Sequence, residues 1–474
     1  MGSSENLEML TRLLQGMPLQ HSLRAVLLAA FSLPQVILRR RHDAVGAQVV
    51  PRPLGLGTRL LPALREHGYQ PYLLLAEGLL PDTEYDWEVP TMPNWRARTL
   101  PTAIPSTGLS MLVGSCYYDY FHRGTMVVGA AYEIAKRERV AFGMLVGDNL
   151  YLDVAPDQRA YSDAFKETAE RYTQYFYRSP YHQLLSVCPS LTTWDDHEFW
   201  NNYPDSQIHL SRSWSWNAAE YDQAAQEAIS IFQEPLNPPP IRPGSRCFTF
   251  DIPPLHVFVA DTRSRRQKYQ GAVSEMMPSA DFNALLVWLT DPTLHGPRML
   301  VLGQPFFVST GGMFDRNPPD FTTQYQRLFR ALGACPYDVM IVSGDVHYSR
   351  LIRQPVNSGS VYELISSPMC HIPTKSSLVD GIVGGRAVQD RAKVSRPPHG
   401  NTAWYFGTNA PQTLGLIRCH PLGHQVSVGA AFYDTNVAPA VPAPVQHPAD
   451  PPATYKLQTS HCDGHALFTM RKRL

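Results

Sequence analysis

Residues 192–203, TTWDDHEFWNNY, gather Asp195, Asp196, His197 and Glu198 between Trp194 and the pair Phe199–Trp200, then add Asn201 and Asn202. Carboxylate, imidazole and amide groups of this kind ligate hard metal ions or carry protons. The flanking aromatics are costly to expose, so the polar cluster must be partly buried with them. Five further segments end an apolar run on a group able to do chemistry. MLVGSC ends on Cys116, and AFGMLVGD ends on Asp148 with Tyr151 close behind. LHVFVAD ends on Asp261 and leads to Arg263, Arg265 and Arg266; RMLVLGQP carries Gln304; DVMIVSGD ends on Asp345, with His347 following.

Taken singly, each residue has an ordinary structural role. Asp148 after a glycine reads as a turn former or helix cap, and Cys116 as a small core hydrophobe. His347 reads as a hydrogen-bonded core histidine, Asp345 as a turn residue, Arg265 and Arg266 as solvated surface, and DDHE as a charged loop. Recurrence of one class of group at six run ends favours a joint site. Its oxygen, nitrogen and sulfur donors exceed what one ion takes. Two ions sharing a carboxylate is the arrangement that clamps the attacking and leaving oxygens of phosphoryl displacement. Arginine forks nearby match phosphate oxygens.

Such a site needs elements that converge. The apolar runs are short and alternate with helical stretches such as TMVVGAAYEIAKRER and AAEYDQAAQEAISIF. Buried strands with helical crossovers predict an α/β core, with ligands delivered at the carboxyl ends of strands. This domain is expected over residues 101–435. Ahead of it, Leu80, Pro81, Thr83 and Tyr85 of GLLPDTEYDWEV resemble the tyrosine corner of immunoglobulin-like and fibronectin-type sandwiches. They predict a small β domain over residues 1–100, with TMPNWRARTLPTAIPSTG as linker. Residues 436–474 read as a proline-rich arm and a C-terminal segment. There, HCDGH (His461 to His465) reads as a turn beside a final strand, ALFTM, and not as a metal motif.

Composition sets the outer bounds. The 474 residues are 44% hydrophobic and 17% charged, which describes a globular chain long enough for two domains. Lys+Arg and Asp+Glu stand at 41 each, giving no signature of nucleic-acid or membrane-surface binding. Seven scattered cysteines without a CxxC pair argue against a disulfide framework or a thiolate zinc site. The strongest apolar run, AVLLAAFSLPQVIL, is broken by Pro34 and too short to span a bilayer, so it reads as buried strands. No leader is visible, which makes a cytoplasmic location the expectation on the face of the sequence.

The order GSC, GDNLY, WDDHEFWNN, DTR, GQP and SGDVH resembles the PhoD-like alkaline phosphatases, a branch of the calcineurin-like metallophosphoesterases, over roughly residues 105–372. The resemblance implies an αββα sandwich core behind an N-terminal β-sandwich. It also makes secretion or a periplasmic location the alternative, and iron with calcium the cofactors. The broader superfamily pattern is altered here. Cys116 replaces an Asp-x-His pair, Asp196 an asparagine, Gln304 a lone histidine, and Asp345 the first histidine of the last motif. Ligand chemistry agrees: Cys116, Asp148, Tyr151 and His347 suit ferric iron, and Asp148 bridges to a position held by Asp196, Asn202 and Gln304. Oxygen ligation there favours calcium, magnesium or manganese over zinc.

The implied reaction is hydrolysis of a small-molecule or phospholipid-type phosphate ester by a metal-activated hydroxide. Arg263 would stabilise the phosphoryl oxygens. His197 would protonate the leaving alkoxide or orient the phosphate. Asp195, Glu198 and Asp345 are candidate orienting groups or additional ligands, and adjacency leaves Asp195 and Glu198 equivalent as partners of His197. The alternatives are a phosphodiesterase of phospholipase D-like type on lipid or polymer diesters, and a binding protein with a degenerate phosphatase core.

Overall fold

The structure is a computed structural model. It describes residues 11–30, 35–90, 92–118, 124–153, 163–207, 210–214, 216–308, 310–311, 316–357, 359–370, 404–407, 412–435 and 466–473. HCDGH and the proline-rich arm lie outside these residues.

Residues 12–98 form two four-stranded antiparallel sheets. One contains β1 (Arg12–Gln15), β2 (Ser22–Ala29), β5 (Arg52–Pro53) and β6 (Gln70–Glu77); the other contains β3 (Val36–Arg40), β4 (Ala47–Val49), β7 (Glu84–Glu88) and β8 (Trp95–Arg98). Alternation along the strands aims one face of each sheet inward. Leu13, Leu27 and Leu74 from the first sheet meet Leu38, Trp87 and Trp95 from the second in a common core. The Leu80 amide donates to the Tyr85 hydroxyl at 3.0 Å, which is the tyrosine-corner bond. AVLLAAFSLPQVIL supplies most of β2 and the start of β3, as expected. One expectation fails: the expected linker contains β8, whose WRAR alternates buried and exposed residues and pairs with β7.

All six apolar runs that end in chemistry are strands, but they lie in two sheets. β9 (Leu109–Gly114), β10 (Val140–Val146) and β11 (Ser190–Thr193) are parallel neighbours in a six-stranded sheet. β19 (Thr413–Leu422), β20 (Gln425–Asp434) and β21 (Ala466–Met470) complete it as antiparallel strands. The C-terminal segment thus supplies an edge strand to this sheet. In a seven-stranded sheet, β13 (Leu255–Val259), β14 (Arg298–Val301) and β15 (Val339–Ser343) run parallel. β12 (Phe248–Ile252), β16 (Arg350–Val356), β17 (Gly359–Ile365) and β18 (Trp404–Gly407) complete that sheet.

Three cores order the layers. Met111, Val113, Met144 and Val146 point inward against Val257, Val259, Met299 and Val342 of the facing sheet. Their neighbours Leu112 and Leu145 point outward, beneath helices Gly124–Glu138, Ala164–Thr173, Tyr181–Val187 and Ala218–Phe232. Phe258, Leu300 and Ile341 point out of the second sheet beneath helices Ser279–Thr290 and Thr322–Ala334. Helices, sheet, sheet and helices therefore succeed one another. A one-residue slip of β10 would exchange its inward and outward sets, so two apolar faces pin the register. Among the described residues no helix is long and apolar enough to cross a membrane.

Candidate metal centre

The carboxyl ends of the two sheets can meet because glycine precedes the chemistry. Gly147 has φ +89°, and a Cβ there would lie 2.8 Å from the Cβ of Asp195. At Gly344 a Cβ would lie 2.5 Å from the Val146 carbonyl oxygen, across the gap between the sheets. Beyond these points the backbone is strained at the candidate ligands themselves. Cys116, Asp148, Asn202, Asp345 and His347 have φ of 57°, 52°, 63°, 70° and 28°. A non-glycine residue in the left-handed region costs of order 1–3 kcal/mol and persists only where its surroundings over-determine it. Five such residues in one cluster mark a site assembled for something other than stability.

Side chains from both sheets converge there. Oxygens of Asp148, Asp195, Asp196 and Asp345 lie within 4.8 Å of one another, as do ligand atoms of Asp148, Asp196 and His197. Cys116 Sγ lies 3.2 Å from Asp148 Oδ2, and Tyr151 Oη lies 3.3 Å from His347 Nε2. Asp196 Oδ2 accepts the Asn202 amide at 2.5 Å. Its Oδ1 is buried and has no hydrogen-bond partner among the described residues.

The electrostatics describe a cluster in which acidic groups outnumber basic ones. Burial, with the carboxylates of Asp196, Asp195 and Glu198, pushes the Asp148 carboxyl well above its ordinary range, although His197 opposes the shift. Burial, and then Asp148 and Asp345, pushes the Cys116 thiol up. Tyr151 is raised by burial and by Cys116 and Asp148. Asp196, unlike Asp148 and Asp195, is held low: burial opposes its ionisation, but His197, Arg263 and the Asn202 amide prevail. A cation would reverse the upward shifts, since a coordinating thiol or phenol gives up its proton. An orphaned carboxylate oxygen within a cage of raised acids and a thiol fits one or more metal ions.

Several expected roles change. Arg263 is fully buried; its Nε and Nη2 donate to the two oxygens of Asp195 at 2.6 and 3.2 Å, and its Nη1 donates to the Tyr203 carbonyl at 2.9 Å. Its fork is therefore spent on Asp195 instead of facing a phosphate. Gln304 turns its carbonyl oxygen to Arg266 Nη2 at 2.6 Å and offers Nε2 to Asp345 at 3.3 Å, so its oxygen is not aimed as a ligand. Arg266 also donates to the carbonyls of Thr262 and Arg316. Arg265 is exposed and donates to the Gly244 carbonyl.

Glu198 accepts from the amides of Asp148, Asn149 and Asp195 at 3.0, 2.7 and 2.9 Å. It ties the β10 and β11 loops together, and burial raises its pKa to about 7 against these bonds. Neither Asp195 nor Glu198 orients His197. Asp153 does, with Oδ1 2.7 Å from His197 Nδ1, while its Oδ2 accepts the Asn201 amide at 2.8 Å. Sequence reasoning missed Asp153; its signal was a carboxylate in the same GDNLYLD loop as Asp148 and Tyr151. Burial works against a cation at His197, but Asp153, Asp196 and Asp148 outweigh it and hold its pKa well above the ordinary imidazole value. The Tyr151 ring packs on the imidazole with centroids 4.2 Å apart.

Residues 111–297 match the family described as PhoD-like phosphatase. Among solved structures, the chain is similar to that of PhoD at TM-score 0.61 and 15% identity, covering 98% of this chain and 90% of that one. At that identity the likeness is one of fold. It is also similar to GAP50, the anchor in the inner membrane complex of Plasmodium, over 74% of this chain and 88% of that one. The TM-score of 0.38 and identity of 12% make that second likeness too loose to carry an argument. No curated protein matches at a significant level.

Proposed function

We propose that this chain, a member of the PhoD-like phosphatase family and on that ground a phosphatase hydrolase, hydrolyses phosphate esters at a two-ion centre that bridges its six- and seven-stranded sheets. The observation that carries the reading is the buried, partnerless Oδ1 of Asp196, beside the raised acids Asp148 and Asp195. Cys116, Asp148, Tyr151 and His347 would hold iron, and Asp148, Asp196 and Asn202 would hold calcium; Asp345, whose carboxylate lies among those of Asp148, Asp195 and Asp196, would add a ligand. Bound there, the ions would acidify water and take up charge on the phosphoryl oxygens. The core is then a metallophosphoesterase-type sandwich and residues 12–98 its β-sandwich companion.

The chain's own residues supply the rest. His197 holds a proton at Nε2 for the departing oxygen as the P–O bond breaks, because Asp153 takes its Nδ1 proton in a hydrogen bond and, with Asp196 and Asp148, stabilises the doubly protonated ring. Tyr151 limits the tilt of the imidazole. Gln304 Nε2 holds Asp345, and Arg266 holds Gln304 in turn. Asp195 with Arg263, and Glu198 with its three amides, fix the loop that presents Asp196 and His197.

Two measurements test this. Purified protein should contain iron and calcium, and chelation should lower p-nitrophenyl phosphate turnover at least roughly a hundredfold, since metal charge stabilisation amounts to several kcal/mol. Turnover that survives complete removal of metal overturns the reading. Separately, Asp153→Asn should lower kcat about ten- to a hundredfold for alkyl phosphates, whose leaving oxygen needs the proton. It should change p-nitrophenyl phosphate hydrolysis far less. Equal losses on both substrates would remove His197 from the acid role.

A further inference from the structure

Behind the centre lies a buried polar network on which no role has yet been placed. Its hub is Asn149, fully buried and next in sequence to Asp148. Its side-chain oxygen accepts the Tyr181 hydroxyl at 2.8 Å. The two hydrogens on its Nδ2 are shared among the Thr193 carbonyl at 2.6 Å, Glu198 Oε1 at 3.0 Å and Gln233 Oε1 at 3.2 Å. A flipped amide would set Nδ2 against a hydroxyl and its oxygen against a carbonyl and a carboxylate, so the orientation is fixed by chemistry. Gln233, also fully buried, donates through Nε2 to the Tyr172 hydroxyl at 3.2 Å, and its main-chain carbonyl accepts Thr192 Oγ1 at 3.2 Å.

The network therefore joins the β10 loop to β11, to the first residue of helix Tyr181–Val187 and to the residue that ends helix Ala218–Phe232. With every side-chain polar atom committed inward, Asn149 is not placed to contact metal or substrate. Its neighbour Asp148 holds φ 52°, a left-handed conformation that carries an energetic cost for any residue with a Cβ, although aspartate tolerates it better than most.

We propose that Tyr181 and Gln233 are positioning residues for the metal centre: acting through Asn149, they lock the strained backbone of Asp148 and so preset its bridging carboxylate. This rests on the two-ion reading above. Outer-shell partners of metal ligands typically alter affinity by 10- to 100-fold, and these two residues act through one more link.

The test is calorimetric titration of the metal-free full chain with Mn2+, with thermal unfolding measured alongside. Tyr181→Phe should weaken Mn2+ binding about tenfold and lower kcat at saturating Mn2+ with KM unchanged. The control is Tyr69→Phe. Tyr69 is equally buried in the same core and bonds Thr173 Oγ1 at 2.9 Å. It should lower the unfolding midpoint similarly and leave Mn2+ affinity unchanged. Gln233→Met repeats the test should Tyr181→Phe fail to fold. Mn2+ affinity in Tyr181→Phe within about twofold of wild type, or an equal loss in Tyr69→Phe, overturns the proposal. Wild-type chain that binds no Mn2+ overturns the metal-centre reading itself.

Discussion

Asp148→Asn should abolish phosphoester hydrolysis while the chain stays folded and, free of metal, grows more stable at neutral pH. The residue shares its cage with Asp195, Asp196 and Asp345, and on the proposed reading its carboxylate serves both ions. Loss of that bridge should lower kcat by on the order of 10³-fold or more. The stability effect has the opposite sign. The Asp148 carboxyl titrates well above its unfolded value because burial and neighbouring carboxylates disfavour its charge. Below about pH 4 both states hold the proton and the group contributes nothing. As pH rises past that value the unfolded chain releases its proton first, so the metal-free fold loses stability. An amide removes this loss, so the variant's advantage should emerge above about pH 4 and vanish below it. Turnover, metal content and denaturation midpoints at both pH values check the set. Wild-type turnover would mean that the ligand assignment is wrong.

Arg263→Met should damage the fold more than the affinity for substrate. The ion pair with Asp195 has both side chains at 0% exposure, where a partner's loss strands a charge. Breaking such a pair costs roughly 3–5 kcal/mol, far beyond an exposed pair of the same geometry. The Tyr203 carbonyl also loses its donor. We therefore expect a large fall in the denaturation midpoint with KM near wild type. Adding Asp195→Leu should recover part of the stability, because the stranded charge is then gone. A KM raised tenfold at unchanged stability would return Arg263 to the phosphate.

The strands that carry the site were legible because strands buried on both faces read as unbroken apolar runs. MLVG, AFGMLV and VMIVS have no polar interruption, and each ends where the chemistry begins. What periodicity cannot encode is which sheet a strand joins; the β9–β11 and β13–β15 ends meet across two sheets, not along one. β8 was hidden by Pro93 and Pro101, whose linker signal outweighed the alternation of WRAR. Side-chain commitments were less legible still. Arg263 looks the same in sequence whether it grips Asp195 or a phosphate, and only the tertiary pairing decides. His197 sits beside three acids, yet its partner is Asp153, brought near by the fold of the β10 loop.

The division of the candidate ligands between the sheets has a thermodynamic corollary. Cys116, Asp148 and Asp196 extend from one sheet, and Asp345 and His347 from the other. An ion held by both sets works as a clasp, and whatever parts the layers must first release it. Binding to the folded chain alone adds RT ln(1 + [L]/Kd), about 2.7 kcal/mol when free metal is a hundredfold above Kd. Cation supply would then set the heat tolerance of this protein as well as its rate. The methionines and valines between the sheets would carry the fold alone only where metal is scarce.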